Sequence, residues 1–427
     1  MKNIKKIAVI SVISAVIGIS FPYINFAVDQ TYQQLKVIVD VMELIRENYV
    51  DEIDAQKLVY GAARGMVQEL DDFSQFMEPD LYTRVKSDTE GEFGGIGIRV
   101  DMREGWLTVV TPLPNTPAYR AQMFPGDKII KIEGDSTKDM IIDEAIKKLR
   151  GVPGTQVKIT TAREPDDKNA EWITKDITLT RELIKTENVK SKMLDNKIAY
   201  IKIVEFTGHA VENFTKAIEG FKAQGMDGLI IDLRYDPGGL LSASVDVSKM
   251  FLDSNKMIVY TKGRKPENYQ EFRANSQAPY ADVPLVILVN RFSASASEII
   301  AGAMQDNKRG VIVGERTFGK ASVQSMIPLS DKSALRLTIA RYYTPGGRSI
   351  HRDEKKGTGG ITPDIEVKVT PDIEKKLIQQ SEELFYPGKD GDNAKKKEVV
   401  AKDEVLDRAV ELLKAREVLG NLRASKP

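Results

Sequence analysis

The segment Leu285-Val-Ile-Leu-Val289, followed directly by Asn290-Arg-Phe-Ser-Ala-Ser-Ala-Ser-Glu298, carries the strongest signal for the architecture of this chain. Five consecutive apolar residues predict a short strand covered on both faces, and the next segment leads into a predicted helix at 297–305. The same alternation continues in the neighbouring sequence, with further strands and a helix predicted at 198–204, 210–222, 229–233, 311–313 and 335–343. Short apolar strands joined by helices predict a mixed α/β core.

Composition limits the chemistry that this chain can support. Its 427 residues suggest two or three domains of about 150 residues each. Lysine plus arginine and aspartate plus glutamate balance at 62 each, which argues against nucleic acid as a whole-chain electrostatic partner. Cysteine is absent and the two histidines are His209 and His351, so disulfides, thiolate sites and a His-rich metal centre are excluded. We expect no metal, no other cofactor, no nucleic-acid partner, and no catalytic role for either histidine.

The amino terminus predicts export. Three lysines within the first six residues precede the segment Ile7 to Val28, which contains no charge. This arrangement is typical of a signal peptide or a signal anchor at residues 1–28. We therefore expect the protein in the periplasm or on the outer face of the cytoplasmic membrane, attached to the membrane if the segment is not cleaved.

The remaining chain divides by its pattern into an N-terminal helical region, a strand-rich insert, an α/β core and a C-terminal appendage, at 29–90, 91–165, 166–370 and 371–427. The insert alternates short apolar runs with turns and contains one predicted helix at 142–149, which indicates a small, partly open sheet capped by a helix. The appendage contains a solvated linker after Pro387 and ends in an amphipathic helix that starts at Glu404 and is closed by Gly420.

Two segments hold residues suited to chemistry. Ser293, Ser295 and Ser297 alternate with alanines ahead of a predicted helix, whose first N–H groups and positive dipole end suit an alkoxide or oxyanion. The alternative is an ordinary helix N-cap of the Ser-x-x-Glu kind. The turn Pro237-Gly238-Gly239 exposes N–H groups that suit an oxyanion hole, and it is also an ordinary tight turn. These patterns alone leave both alternatives open.

Taken in order, these segments and three others resemble one family. The motifs are Asp232-Leu-Arg-Tyr-Asp-Pro-Gly-Gly239, Ser293-Ala-Ser-Ala-Ser-Glu298, Thr317-Phe-Gly-Lys-Ala-Ser-Val-Gln324, Tyr343-Thr-Pro-Gly-Gly-Arg-Ser-Ile350 and Gly360-Ile-Thr-Pro-Asp364. Together they are similar to those of the carboxyl-terminal processing peptidases, also called tail-specific proteases. The resemblance extends from about Leu35 to Asp364 and implies a crotonase-like α/β peptidase core with an inserted PDZ domain and helical N- and C-terminal regions.

The resemblance implies that Ser295 is the nucleophile, Lys320 the general base and Gln324 the residue that positions the lysine. The choice of Ser295 among the three serines rests on the family pattern. A lysine acts as a base only when neutral, so its pKa must fall from about 10.4 towards neutrality, and an amide at 324 adds no charge that would oppose this. On a straight strand residues 320 and 324 would lie about 13 Å apart, so direct contact requires a turn, for which Gly319 is the expected hinge.

The resemblance also implies two sets of backbone donors. The oxyanion hole would combine the N–H of Ala296 with that of Gly238 or Gly239. A carboxylate-binding loop of the PDZ insert would consist of Gly95, Ile96, Gly97 and Ile98. In such a loop, consecutive N–H groups bind a terminal carboxylate while the peptide adds a strand to the sheet edge. Asp232 and Arg234 are expected to form a structural ion pair that supports the glycine turn, and a catalytic role for them is the alternative.

These expectations define a leading function and its competitors. The leading hypothesis is an exported serine endopeptidase that binds unstructured C-terminal tails of proteins or peptides through its PDZ domain and cleaves upstream. The main alternative is a membrane-tethered, catalytically inactive PDZ scaffold, and a crotonase-like acyl-CoA enzyme is a third. Exposed apolar stripes on the terminal helices favour a homodimer or docking to an adaptor or activator protein. Arg150, after the predicted helix of the insert, is a candidate for sensing substrate binding and transmitting that signal to the active site.

Overall fold

The computed structural model of the protein describes residues 32–164, 171–353, 356–385 and 401–424. Its helices are α1 at residues 32–48, α2 (Ala55–Gln68), α3 (Pro79–Glu90), α4 (Pro117–Arg120), α5 (Ile142–Leu149), α6 (Ala210–Ala223), α7 (Leu241–Lys249), α8 (Ala296–Asp306), α9 (Pro371–Phe385) and α10 (Glu404–Ala424).

Its strands are β1 (Gln75–Met77), β2 (Glu92–Gly95), β3 (Ile98–Arg103), β4 (Trp106–Pro112), β5 (Lys128–Ile132), β6 (Asp135–Ser136), β7 (Gln156–Arg163), β8 (Ile173–Thr180), β9 (Glu182–Lys185), β10 (Val189–Leu194), β11 (Ile198–Ile203), β12 (Gly228–Asp232), β13 (Met257–Gly263), β14 (Gln270–Arg273), β15 (Leu285–Val289), β16 (Val311–Gly314), β17 (Ser322–Pro328), β18 (Ala334–Tyr343) and β19 (Ile365–Glu366).

The chain forms two compact units, and the smaller one contains the described residues up to Glu78 together with Ile327–Arg336. Within it, β1 runs antiparallel to the first residues of β18, and Tyr60 packs on Phe76 with ring centroids 5.1 Å apart. Helices α1 and α2 occur where the sequence predicts them. Strand β1 is not predicted, because three residues show too little periodicity to be told from a loop.

The larger unit is built on a mixed sheet with the strand order β10-β11-β12-β15-β16-β19. Neighbouring strands from β11 to β19 are parallel, while β10 runs antiparallel to β11. Ile231 and Ile287 are buried on one face in a cluster with residues of α6, α7 and α8. Ile230 and Leu288 are buried on the other face with residues of α10. The uniformly apolar strands are thus covered on both sides, which confirms the predicted α/β core.

A second sheet of this unit contains β13, β14 and the end of β18. Strand β13 runs antiparallel to β14 on one side and to the end of β18 on the other, where Tyr260 lies opposite Tyr343. Strand β17 pairs with β18, and the turn between these two strands lies at residues 330–332.

The predicted PDZ region forms its own antiparallel sheet, with the order β3-β4-β5-β7-β8 and β6 beside β5. Helix α5 has the predicted bounds and buries Ala145 and Leu149 against Leu107 and Ile159 of this sheet. The sheet continues through β8, beyond the residue 165 at which the sequence pattern changes. Strands β2 and β9 pair where the chain enters and leaves the insert, with Glu92 opposite Lys185.

Several predictions concern the ends of the chain. The predicted signal segment at 1–28 and the solvated linker after Pro387 lie outside the described residues. Among the helices of the described ranges, none combines the length and the apolar character needed to cross a bilayer. Helix α10 continues to Ala424, so the prediction that Gly420 closes it is wrong. A glycine inside a helix costs only about 1 kcal/mol, which favourable neighbours offset.

Candidate active site

Ser295 occupies a sharp turn between β15 and α8, within a segment that we call the serine elbow (residues 293–298). Its backbone has φ of 54° and ψ of −109°, outside the regions that a residue with a Cβ ordinarily adopts. Strain of this kind persists only where the surrounding structure fixes it, and it clusters at functional sites. The elbow therefore holds Ser295 in a conformation that neither the strand nor the helix would impose.

Burial separates the three alternating serines. Ser293 and Ser297 are fully buried, whereas Ser295 retains 8% exposure. The Ser293 hydroxyl donates to the Leu233 carbonyl at 2.8 Å, and the Ser297 hydroxyl donates to the Asp236 carbonyl at 3.3 Å. These two hydroxyls serve the local fold. Of the three, Ser295 carries the hydroxyl that a substrate can approach.

The glycine turn (residues 234–239) follows β12, which is the parallel neighbour of β15, so the turn and the serine elbow meet at one edge of the sheet. Gly238 has φ of 103°, and a Cβ on it would lie 2.8 Å from Ser295 Cβ and 2.9 Å from the Ala296 nitrogen. A side chain at 238 would therefore collide with the elbow. Gly238, Ser295 and Ala296, which the sequence analysis assigns to the site, therefore lie close together, and their role as an oxyanion hole stays a prediction.

One hydrogen bond distinguishes the two glycines. The Gly238 N–H donates to Asp236 Oδ1 at 2.8 Å. Gly239 lies against Phe206, whose N–H donates to the Gly238 carbonyl at 2.8 Å and whose carbonyl accepts from Leu240 at 2.7 Å. Because the Gly238 amide is already engaged, the Gly239 amide is the stronger candidate to join Ala296 as an oxyanion donor.

The carboxylate of Glu298 ties the serine elbow to the segment that carries Lys320. Its Oε2 accepts from the backbone N–H of Ser295 at 2.9 Å and of Lys320 at 2.8 Å. Its Oε1 accepts from the Thr317 hydroxyl at 2.6 Å and the Gly319 N–H at 2.7 Å. Burial raises the pKa of the Glu298 carboxyl, and these donors partly oppose that rise. Sequence reasoning found only the Ser-x-x-Glu cap here and missed this link.

Lys320 and Gln324 lie on the chain that leads into β17. Gly319 has φ of 92°, in the left-handed region, so the chain bends at this glycine. The bend precedes Lys320, and the chain is extended from Ser322 onward, so the turn expected between Lys320 and Gln324, with Gly319 as its hinge, is not found. Both side chains are partly buried. The role of Gln324 in positioning the lysine stays a prediction.

Asp236 is a second carboxyl that the sequence analysis did not assign to the site. It is fully buried in the glycine turn, and within the described structure its Oδ2 has no hydrogen-bond partner. Burial raises the pKa of Asp236 well above its usual value of 3.8, although the Gly238 N–H lowers it in part. A neutral carboxyl is compatible with an adjoining oxyanion, whereas an ionised one would repel it.

The expected ion pair of Asp232 and Arg234 is present and buried. Arg234 donates to both oxygens of Asp232, and the Tyr200 hydroxyl donates to Asp232 at 2.7 Å. Although burial opposes its ionisation, the Arg234 guanidinium and the Lys202 charge hold the pKa of Asp232 down at about 2. Arg234 also pairs with Asp403, a partner that no local sequence pattern signals.

The insert contains a groove of about 230 Å³ next to its predicted carboxylate-binding loop. The lining residues are Phe93, Gly95, Ile96, Gly97, Ile98, Arg99, Val100, Ile146, Leu149 and Arg150. Gly97 has φ of 72°, and a Cβ there would collide with Thr116. At the rim, Arg150 stacks on the Phe93 ring at 4.2 Å and donates to Asp88 at 2.9 Å.

Sequence models of known families match three parts of the chain. Peptidase family S41 matches residues 197–367, a PDZ domain matches residues 108–163, and the activating protease CtpB N-terminal domain matches residues 24–81. The first match contains the glycine turn, the serine elbow and Lys320. The second covers α5 and most of the sheet that borders the groove.

Curated relatives agree with these matches. The carboxy-terminal-processing protease of Bartonella bacilliformis is 39% identical over 342 residues, which are 79% of this chain and 76% of that protein. The carboxyl-terminal-processing protease of Synechocystis is 36% identical over 76% of this chain and 75% of its own length. A solved structure from Bacteroides fragilis described as an S41 protease covers 88% of this chain and 97% of its own, with 14% identity and a TM-score of 0.51, and it supports the fold alone. The chain therefore belongs to peptidase family S41 and is a serine-type peptidase of the carboxyl-terminal processing group.

Proposed function

We propose that this protein is an exported endopeptidase that hydrolyses peptide bonds with Ser295 as nucleophile and Lys320 as general base. The observation that carries the proposal is the meeting of three elements. The glycine turn contacts Ser295 and Ala296, and the Glu298 carboxylate joins the Ser295 backbone to that of Lys320. The glycine turn, the serine elbow and the Lys320 segment come from separate parts of the sequence, and their contacts support these roles for Ser295, Ala296 and Lys320.

The reaction would proceed in two acyl-transfer steps. The neutral Lys320 amine takes the proton from Ser295 Oγ as Oγ attacks the scissile carbonyl carbon. The oxyanion that forms accepts hydrogen bonds from the N–H of Ala296 and of the glycine turn, where one lost donor costs about 10²- to 10³-fold in kcat. The lysine ammonium then protonates the leaving amine, and the C–N bond breaks to give an acyl-enzyme. Lys320 then takes a proton from water as the water oxygen attacks the ester carbonyl carbon. The C–O bond to Ser295 Oγ breaks, the Lys320 ammonium returns that proton to Oγ, and the acid product leaves and ionises to the new carboxylate.

The groove of the insert would hold the C-terminus of the substrate. Consecutive amides of the loop from Gly95 to Ile98 would bind the terminal carboxylate, while the peptide adds a strand beside the loop. The walls contributed by Ile98, Val100, Ile146 and Leu149 are apolar, so we expect a preference for apolar C-terminal side chains.

Peptide binding would also gate the peptidase. Arg150 at the groove rim pairs with Asp88 near the end of α3. The following residue, Thr89, accepts a hydrogen bond from the Gly208 N–H at 3.1 Å, and Phe206 bonds directly to the glycine turn. This continuous set of contacts supports Arg150 as the sensor. If bound peptide displaced Arg150 from Asp88, a shift of Asp88 and Thr89 would be transmitted through the loop at residues 206–208 to the glycine turn.

Export and self-association complete the proposal. The uncharged segment at 7–28 supports localisation in the periplasm or at the outer face of the cytoplasmic membrane. Helix α1 exposes Leu35, Val39 and Leu44, with exposures of 56%, 46% and 59%. Large exposed apolar side chains on one helix mark an interaction surface, and this supports a homodimer or docking to an adaptor.

The test compares the wild type with Ser295→Ala, Lys320→Ala and Gln324→Ala, all lacking residues 1–28, on an unfolded protein with an apolar C-terminus. Cleavage by the wild type and about 10³-fold or greater loss in the first two variants would support the mechanism. Lys262→Ala removes an exposed lysine of β13 and serves as the matched control. If all of these proteins bind the C-terminal peptide and none cleaves at any peptide concentration, the inactive scaffold is the correct description.

A further inference from the structure

Helix α9 and the residue directly ahead of α10 each contribute one carboxylate to the elements of the candidate site. Asp403, directly ahead of α10, accepts from the two terminal nitrogens of Arg234 at 2.8 and 2.9 Å. Glu374 of α9 accepts from the Tyr235 hydroxyl at 2.8 Å and pairs with Arg291. Arg234 and Tyr235 are the first two residues of the glycine turn, and Arg291 lies just before the serine elbow.

The contact with Asp403 is largely buried. The exposed fractions of the side chains are 11% for Arg234, none for Asp232 and 20% for Asp403. A single guanidinium therefore lies between two carboxylates, with its fork engaged on both sides. Bidentate pairs of this kind fix orientation as well as charge. The direction of Arg234, and with it the start of the glycine turn, depends on both partners.

The glycine turn needs such external support. Tyr235, Gly238 and Gly239 have φ values of 65°, 103° and 133°, so three residues of this short segment adopt left-handed or extended positive φ. Positive φ at a tyrosine is strained and persists only when neighbouring groups over-determine it. The Tyr235 ring stacks on Phe292 with centroids 5.7 Å apart, and Glu374 holds its hydroxyl. Glu374 thereby joins the residues that follow β12 to those that follow β15.

The two carboxylates are themselves held in place. Val405, Ala409 and Leu413 of α10 are buried against the central sheet, which fixes the start of the helix beside Asp403. Glu374 is 7% exposed. The appendage is thus packed on the peptidase core and presents both groups from well-supported positions.

We propose that Asp403 and Glu374 are positioning residues for the peptidase reaction. They hold Arg234 and Tyr235 so that the amides of the glycine turn lie where the oxyanion forms beside Ser295. Neither carboxylate touches the substrate. This inference rests on the proposed Ser–Lys mechanism, and it assigns a catalytic purpose to a region that the sequence presents as an appendage.

The test uses Asp403→Asn and Glu374→Gln in the chain lacking residues 1–28. The matched controls are Asp407→Asn in α10, whose side chain is 47% exposed, and Asp372→Asn, an exposed residue of the first turn of α9. Four quantities are measured: kcat, KM, the Tm and the affinity for a peptide boronate, which forms a tetrahedral adduct with a nucleophilic serine. Binding of a C-terminal peptide to the PDZ groove is followed in parallel.

We expect kcat and boronate affinity to fall together by about 10- to 100-fold in both variants, since small misplacements of catalytic groups have effects of this size. KM and peptide binding should stay within about twofold of the wild type, because ground-state binding is not affected. The control variants should behave as the wild type. A purely structural role would lower the Tm without this split between kcat and KM.

Unchanged kcat in both variants, or a loss in which KM and peptide binding fail equally, would overturn the inference. If Asp403→Asn is unfolded at the assay temperature, Glu374→Gln decides alone, since it preserves volume and two hydrogen-bonding atoms. If both unfold, the carboxylates act on folding and the inference is wrong. Failure of the proposed function is distinguishable, because there the wild type and Ser295→Ala would be equally inactive.

Discussion

The serine elbow and the rim of the PDZ groove are held by different kinds of contact. At the elbow, Glu298 is fully buried and receives donors from four residues. At the rim, Arg150 and Asp88 form one ion pair whose side chains are 28% and 48% exposed. Buried hydrogen bonds in a low dielectric are strong and costly to leave unmade, whereas exposed ion pairs are weak and screened by salt. We therefore expect the contacts of the elbow to stay fixed, whereas the ion pair at the rim can be broken at small cost.

Among the contacts that hold the elbow and the rim, the largest effect is expected from loss of the Glu298 carboxylate in Glu298→Ala. It leaves four donors without their acceptor, each at about 1–3 kcal/mol when buried, and it disconnects the Ser295 and Lys320 backbones. We expect at least about 10²-fold loss of kcat and a clear fall in Tm, measured by peptide hydrolysis and thermal unfolding. Glu271→Gln on β14, at an exposed side chain, is the control. A variant with wild-type kcat would show that the elbow does not depend on this carboxylate.

Gly238→Ala should be the next most damaging change. The added Cβ would lie 2.7 Å from the Ala294 carbonyl and 2.8 Å from Ser295 Cβ, at a φ of 103°. We expect kcat to fall by about 10²-fold or more while peptide binding to the PDZ groove is retained. Gly225→Ala separates strain from collision, because Gly225 also has positive φ, 76°, and nothing lies within 4 Å of its Cβ position. Equal activity losses in both variants would attribute the effect to backbone strain.

Asp236→Asn tests whether ionisation of this buried carboxyl lowers the stability of the folded protein. The pKa of Asp236 is raised in the folded protein, so the folded state binds the proton more tightly than the unfolded one. Stability is then lost as pH rises from about 3.8 through the raised pKa. We expect the Asn variant to exceed the wild type in Tm by about 2–4 °C at pH 8, with the advantage vanishing towards pH 4.

The contribution of Asp232 to stability should depend on pH in the opposite direction. The pKa of Asp232 is held at about 2, so its contribution to stability is complete above about 3.8 and is lost as pH falls towards 2. Asp232→Asn should therefore destabilise the protein most at neutral pH, as followed by thermal unfolding between pH 3 and pH 8. A pH-independent difference for both Asn variants would mean that neither carboxyl changes its pKa on folding.

The smallest effect on stability is expected at the rim. Asp88→Asn removes an exposed ion pair, worth about 0.2–1 kcal/mol, and should leave the Tm nearly unchanged. It should nevertheless alter the activation of cleavage by added C-terminal peptide, and high salt should mimic it in the wild type. Asp80 lies on the same helix as Asp88 and forms a more exposed pair with Lys147, and Asp80→Asn should have neither effect. Unchanged peptide activation in Asp88→Asn would remove the rim from the gating mechanism.

The sequence predicted most of the elements that build the site. Strand Leu285–Val289 and helix Ile142–Leu149 could be predicted from the local sequence. Burial on both faces of a strand and amphipathic spacing in a helix each leave a clear local pattern. The choice of Ser295 among three serines came from the family pattern, and the structure adds a physical distinction in burial. Strand β1 has no local signal, since it exists by pairing with residues about 260 positions away.

The parts of the candidate site that the sequence did not predict depend on long-range polar contacts. Asp403 is 169 residues from Arg234, and Glu374 is 139 residues from Tyr235, so no spacing rule connects either pair. The Ser-x-x-Glu pattern did flag Glu298, but as a helix cap. The second role of Glu298 is to accept a hydrogen bond from the Lys320 N–H. This contact depends on the fold that brings the Lys320 segment to the carboxylate, so the local pattern does not predict it.

The late position of Asp403 in the chain has a consequence for biosynthesis. A growing chain contains the glycine turn and the serine elbow long before residue 403 has been made, and domains fold as they emerge. Until then Arg234 can pair with Asp232 but not with Asp403, so one of the two carboxylates that orient it is missing. The enzyme would thus acquire its full activity only after residue 403 has been made. Copies that are terminated before this residue would be less active.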